Sequence, residues 1–291
     1  MLYVLSDGMG QRCNKMIFVA NVLASAKEHN FIVKYNNFPI EECFLCNDPT
    51  LNKNLVKIEG FEKYLAKVKI VSIKLMRKIF KKVPQNVFYN FGDKGGEIVK
   101  NYLLNKKFND FEIYWIGWPY YDLESFRKNK DIIREYFKES SELKSKVDKY
   151  VELLGKYDIL VGVHIRRGDY KEWRDGKFYF DNATYKKNMD AFYQVNSSSN
   201  ITFILFSNEK LNIDDFADPR YIVTCSNKTD VEDLMIMSRC DYIIGPPSTY
   251  SGWASFYGNK PKFMIEDTTN TFDCRKSKIY LLETDDWGDP I

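Results

Sequence analysis

The chain has 291 residues, 44% of them hydrophobic, and a formal net charge of +3. That is enough apolar material for one large core or two medium ones, and the length favours two domains of roughly 150 residues or fewer. The small net charge gives no case for a nucleic-acid partner, and no stretch approaches the roughly 18 apolar residues that a membrane-spanning helix needs.

Residues 2–6 read as a short strand, Asp7, Gly8 and Gly10 as a turn, and about Cys13 to Lys27 as a helix with Met16, Ile17, Val19, Ala20, Leu23 and Ala24 apolar. A glycine turn that opens a helix lets backbone N–H groups approach an anion. Asp7 breaks the apolar opening, so no signal peptide is expected and the expected location is the cytoplasm. Six scattered cysteines fit a reducing compartment. Cys43 and Cys46 form a CxxC with neither a second pair nor a nearby histidine, which is a poor zinc site. The only histidines are His29 and His164, so a histidine-based metal site is nearly excluded.

A strand at 31–37 completes a first βαβ unit. Residues 61–83 interleave eight basic residues, from Lys63 to Lys82, with Leu65, Val68, Val71, Leu75, Met76, Ile79 and Phe80. Two readings stand: a lysine face over a core-facing helix, or a peripheral contact with an anionic membrane, at its inner face. Residues 111–126 give a strand that ends in Trp115, Trp118, Tyr120 and Tyr121, rings suited to packing or to stacking on a sugar. One long charged helix from about Leu123 to Leu154 is expected to bridge the two domains.

The second half alternates strands and helices. Ile159, Val161, Val163 and Ile165 mark a buried central strand that runs into His164, Arg166, Arg167, Asp169 and Tyr170. Further strands are expected at 201–209, ending in Ser207, Asn208 and Glu209, and at 221–226, 241–245 and 262–267. A helix in VEDLMIMSRC should turn Leu234, Met237 and Cys240 inward, and another, capped by Ser248 or Thr249, should run to Tyr257. This order implies a doubly wound parallel sheet, whose strand ends HIRRGDY, FSNE and PPSTYSGW meet at one crevice. There Arg166 and Arg167 would supply forked charge, and Ser248, Thr249 and Ser251 would add hydroxyls and helix N–H groups. That set suits a nucleoside diphosphate without a metal. The plainer reading makes one arginine a surface latch to Asp169.

The stretch His164-x-Arg166-Arg167-x-Asp169-Tyr170 resembles the signature of the α-1,2-fucosyltransferase family and its wider superfamily, matching each fixed position. The likeness runs in order from the loop at Gly8 to the Ser-Thr-aromatic-Ser-x-Trp stretch at 248–253. Gln11 stands where the family usually has Asn. The resemblance implies a GT-B-type α/β fold of two Rossmann-like domains facing a cleft, residues 1–150 on the acceptor side and 151–291 binding the donor.

The implied reaction moves L-fucose from GDP-β-L-fucose, with inversion, to a glycan hydroxyl, α-1,2 onto a galactoside of an oligosaccharide or lipid-linked glycan. No cofactor or metal is implied. Arg166 would hold the departing phosphate and Arg167 would support the loop. His164 and Asp233 fall where the superfamily contacts guanine, and Gly8, Gly10, Gln11, Asn208, Ser248, Thr249 and Ser251 complete the donor set. A carboxylate at 233 suits the N–H edge of guanine, whereas its plainer reading is an exposed helix aspartate facing Arg239. Asp169, Glu172, Asp175 and Asp7 are candidate general bases, with Asp169 assigned beside Arg166. The alternatives are another GDP-sugar or linkage, a metal-dependent enzyme using Glu283, Asp285 and Asp286, and a binding protein without turnover.

Overall fold

The computed structural model describes residues 2–4, 11–35, 44, 53–81, 87–89, 101, 113–116 and 121–285. The chain divides into two compact units, Met1–Ser140 and Ser141–Ile291, each built on a five-stranded parallel sheet.

The first unit runs β1 (Leu2–Val4), α1 (Arg12–Glu28), β2 (Val33–Tyr35), β3 (Leu55–Lys57), α2 (Gly60–Phe80), β4 (Val87–Tyr89), β5 (Ile113–Ile116), α3 (Leu123–Lys128) and α4 (Lys130–Tyr136). Its strands lie in the order β3-β2-β1-β5-β4. From Met16 to Ala26 every residue of α1 is buried, including Asn21 and Ser25. Burial of polar groups is tolerated only when they are bonded. Asn21 accepts from the backbone N–H of Asp122 at 2.9 Å, and Ser25 donates to the Asp122 carboxylate. Asp122 also caps α3 by accepting from the N–H of Ser125 at 3.2 Å, and His29 lies 3.6 Å from it. One of the two histidines therefore belongs to a cluster that fastens α1 to α3.

Two expectations need correction here. The single helix from Leu123 to Leu154 is three, broken around Asn129 and again before Ser141. The Asn129 amide bonds back to the carbonyl of Ser125 at 2.9 Å, an alternative to continuing the helix that short polar side chains commonly offer. In α2 only Ala66, Ile70 and Ile73 are buried, packed with Ile58 and Tyr114. Leu65, Val68, Val71, Leu75, Ile79 and Phe80 are exposed rather than turned to the core.

The second unit runs α5 (Ser141–Leu153), β6 (Ile159–Ile165), α6 (Asn182–Val195), β7 (Ile201–Ser207), β8 (Ile222–Cys225), α7 (Asp230–Arg239), β9 (Tyr242–Gly245), α8 (Thr249–Gly258) and β10 (Lys262–Met264). The order is β10-β9-β6-β7-β8, so β6 is central and the direction of winding reverses between β6 and β9. From Leu160 to Ile165 β6 is buried throughout, as a strand covered by helices on both faces must be. On one face Val161, Val163 and Ile165 pack with Phe203, Leu205 and the α6 residues Tyr185, Met189 and Phe192. On the other, Gly162 leaves room for Met237, Cys240 and Phe206. Phe192 meets Phe203 at 5.9 Å and Phe272 at 4.8 Å between ring centres, so these rings of the aromatic-rich sequence build core.

The last residue of α8 sets how closely that helix approaches α7. A Cβ on Gly258 would sit 2.0 Å from the carbonyl oxygen of Ser238, backbone that cannot swing aside. Gly258→Ala should cost about 3 kcal/mol or more of stability, at the upper end of overpacking effects. Chemical denaturation should show this as a lower midpoint at unchanged slope.

Candidate functional site

In an open α/β sheet, ligands bind beyond the carboxyl ends of the strands where the winding reverses. In the second unit that place lies between β6, which continues into Arg166, and β9, which continues into Pro246, Pro247 and Ser248. The approach is tight: a Cβ on Gly245 would meet the carbonyl oxygen of His164 at 2.8 Å. The corner after β9 is pinned at two successive carbonyls. Lys262 donates to that of Pro246 at 3.0 Å, and the Tyr170 hydroxyl donates to that of Pro247 at 2.5 Å. Ser248 then caps α8, its Oγ accepting from the N–H of Tyr250 at 3.2 Å, and Thr249 opens the helix. The fixed end of α8 presents partial positive charge and N–H groups without helical partners.

The two arginines have different surroundings. Arg166 extends to Asp169, Nη2 to Oδ2 at 2.9 Å, with the carboxylate half exposed. Arg167 is bonded through all three guanidinium nitrogens: Nε to the carbonyl of Phe180 and Nη1 to Glu209, each at 3.0 Å, and Nη2 to Asn182. Its backbone is clasped by the Asn208 amide, which accepts from the Arg167 N–H at 2.9 Å and donates to its carbonyl at 3.1 Å. Gly168 follows with φ of +60°, a conformation that glycine enters without strain. Arg167 and Asn208 therefore brace the loop, and Arg166 is the arginine that this bracing presents.

His164 is buried at the end of β6, and its ring lies 5.3 Å from that of Tyr250. Burial, then the charges of Lys262 and Arg166, hold it well below the usual histidine range, so the ring is neutral at pH 7. Its Nδ1 has no hydrogen-bond partner among the described residues. Tyr250 donates to the carbonyl of Asp230 at 2.6 Å, which ties α8 to the first turn of α7. That turn is fixed by a reciprocal cap in which Thr229 accepts from the N–H of Glu232 at 3.3 Å and Glu232 accepts from that of Thr229 at 3.0 Å. One residue on, Asp233 is half-buried and accepts from the Ser226 hydroxyl. Burial pushes its carboxyl up to about 6 against that donation, and Glu232 and Asp230 add to the rise. The alternative of an exposed aspartate facing Arg239 does not hold; Arg239 reaches toward Asp148, at 3.9 Å.

His164, Arg166, Asp233, Ser248 and Thr249 thus stand on three elements whose ends meet in the second unit. Ser251 is fully buried on the inner side of α8, so solvent does not reach its hydroxyl. Gln11 occupies the N-cap position of α1, its carbonyl accepting from the N–H of Lys15 at 3.3 Å. Asp7, Gly8, Gly10, Cys43, Cys46, Trp118, Tyr120 and Asp286 lie outside the described residues. Glu283 is engaged locally, accepting from the N–H of Ile279 at 2.6 Å. Among the described residues no three His, Cys, Asp or Glu side chains come together in a way that could hold a metal ion.

Three residues escaped the sequence reading: Lys262, Tyr170 as a hydroxyl donor, and Tyr250 as the ring beside His164. Lys262 carried the clearest signal, a lysine opening an otherwise apolar strand. Only 6% of it is exposed, and burial brings its amine down to about 7.

The sequence model of glycosyl transferase family 11 matches residues 20–285. No curated protein matches the chain in sequence. In three dimensions it is similar to a variant of FUT1 from Arabidopsis thaliana in complex with GDP, with a TM-score of 0.61 at 11% identity over 95% of this chain and 72% of that one. It is also similar to POFUT1 in complex with GDP-fucose, with a TM-score of 0.56 at 15% identity over 89% and 95%. A third likeness is to NodZ from Bradyrhizobium, with a TM-score of 0.50 at 16% identity over 87% and 91%. These likenesses show the fold, an α/β architecture with parallel sheets of the GT-B type.

The raised carboxyl of Asp233 has a sign that can be measured. An unfolded aspartate titrates near about 3.9. Between there and about 6 the folded protein holds the extra proton, so rising pH erodes stability across that window. Asp233→Asn removes the effect. Calorimetric melts should show the variant gaining on the wild type from pH 4 to pH 6 and holding a constant advantage above; an equal difference at both ends contradicts the burial argument.

Proposed function

The chain belongs to glycosyl transferase family 11, a fucosyltransferase family, and from that membership we propose that the site between β6 and β9 binds GDP-β-L-fucose and releases GDP as fucose is transferred. The observation that carries this reading is the braced loop that follows β6 and holds Arg166, set at the reversal point where β9 leads into the capped N-terminus of α8. Two phosphates need two sources of positive potential. Arg166 offers a forked guanidinium, and α8 offers backbone N–H groups with the Ser248 and Thr249 hydroxyls. Asp233 supplies selectivity for guanine: a carboxylate accepts from the N1–H and N2–H edge, and adenine offers no such edge. Ser226 would orient it, and His164 with Tyr250 would line the pocket.

The chemistry follows from where charge develops. The bond from the anomeric carbon to the β-phosphate oxygen breaks, the acceptor oxygen bonds to that carbon from the opposite face, and the acceptor loses a proton. Negative charge grows on GDP, so fixed donors aimed at the β-phosphate stabilise the transition state more than the ground state. On this account the arginine and helix do what a divalent ion does in other transferases. Asp169, beside Arg166 and half exposed, is the carboxylate we assign to take the acceptor's proton. Donor recognition is assigned to the second unit and acceptor recognition to the first. The acceptor we favour is a galactoside of an oligosaccharide or lipid-linked glycan, joined α-1,2.

A thermal-shift titration with GDP, ADP and UDP in EDTA tests the donor site. GDP at a hundredfold excess over its dissociation constant should stabilise the wild type by about 2.7 kcal/mol, and ADP and UDP by much less. Arg166→Ala should lose the response and lower transfer by about 10²–10³-fold, as removal of one transition-state donor typically does. A response to UDP alone, or one that requires a divalent ion, contradicts this reading.

A further inference from the structure

Helix α2 has two apolar faces, and among the described residues only one is packed into a core. Ala66, Ile70 and Ile73 pack inward on Ile58 and Tyr114. On the opposite side Phe61, Tyr64, Leu65, Val68, Val71, Leu75 and Ile79 recur at spacings of three and four residues, which places them in one stripe. They are open to solvent: Phe61 is 74% exposed, Val71 64%, Leu75 54% and Ile79 60%. Scattered exposed apolar residues need no explanation, but a continuous stripe of seven along one helix marks a contact surface.

The charge beside the stripe identifies what covers it. Lys63, Lys67, Lys74 and Lys78 follow its edge at the same spacings, and Arg77 and Lys81 add to the basic end. The one acidic residue of the helix, Glu62, is bonded to Lys34 at 2.6 Å. A second copy of this helix would bring lysines toward lysines, and the helix carries no carboxylate beside them. An anionic lipid surface answers both features at once, because apolar side chains enter the acyl boundary while lysine amines reach the headgroups. We infer that the outer face of α2 is a peripheral docking surface for anionic membranes.

No described helix is long and apolar enough to cross a membrane, so this contact lies in the interface plane. It does not depend on the donor-site assignment, because no residue of α2 belongs to that site.

Flotation of the full chain with two vesicle preparations tests this, one of phosphatidylcholine alone and one enriched in phosphatidylglycerol. The wild type should rise with the anionic vesicles and stay behind with the neutral ones. Lys67→Gln, Lys74→Gln and Lys78→Gln combined should weaken partitioning on the order of a hundredfold, from the attraction each lysine contributes near such a surface. Val71→Glu with Leu75→Glu should abolish it. Both sets alter exposed positions, so circular-dichroism melts should match the wild type and exclude unfolding as the cause. Equal binding to both vesicle types, flotation of the Val71/Leu75 variant at wild-type levels, or no flotation by the wild type overturns the proposal. So does a wild-type dimer in solution that the Val71/Leu75 pair dissociates while no form of the protein binds vesicles.

Discussion

The second unit depends on one tension in β6. Six consecutive residues, Leu160–Ile165, are buried between helices, and the next two are arginines. The strand can end this way only because Arg167 is engaged at every guanidinium nitrogen and its backbone is clasped by Asn208. That bracing holds the turn at Gly168 and leaves Arg166 beside Asp169 at the mouth of the reversal point. The same logic acts across the crevice. The carbonyls of Pro246 and Pro247 are tied to Lys262 and Tyr170, so the first turn of α8 is fixed before any ligand arrives. Donors that need no rearrangement are those that stabilise developing charge most effectively.

Much of this unit was legible from the sequence because its signals were local and redundant. A β-branched run with one glycine announced β6, and four more apolar runs, most of them set apart by helical patterns, announced a parallel sheet. Serine before a helix announced the cap on α8. Asp233 was placed by family resemblance rather than by periodicity, and its bond to Ser226 joins residues across the turn from β8 into α7. Arg166 and Arg167 are indistinguishable as neighbours in a sequence. The family resemblance implies different roles for them, and the positions of Phe180, Asn182 and Glu209 give the physical reason that Arg167 is the one that braces. Lys262 was missed because a lysine near the end of a chain reads as surface, whereas the register of β10 beside β9 carries it inside.

In the first unit, periodicity found α1 and α2 but could not say which apolar face of α2 meets the sheet. Ala66, Ile70 and Ile73 hold the inner side, packed with Ile58 and Tyr114. Two aromatic rings, Phe61 and Tyr64, are left outside with the aliphatic stripe that follows them. The expected long helix failed for the opposite reason. Its charged pattern is continuous, yet Asn129 turns its amide back on the preceding turn, and Ser140 falls at the boundary between the two units. Helical propensity summed over a long window does not register a stop made by one side chain.

Hydrogen–deuterium exchange with and without GDP-fucose would test the central claim most directly, since it reports where the ligand sits without altering a residue. Protection is predicted in 164–170, 226–233 and 245–253, the three segments that meet at the reversal point of the second sheet. Protection confined to other segments, or none in these three at saturating ligand, would contradict the assignment of this crevice as the donor site.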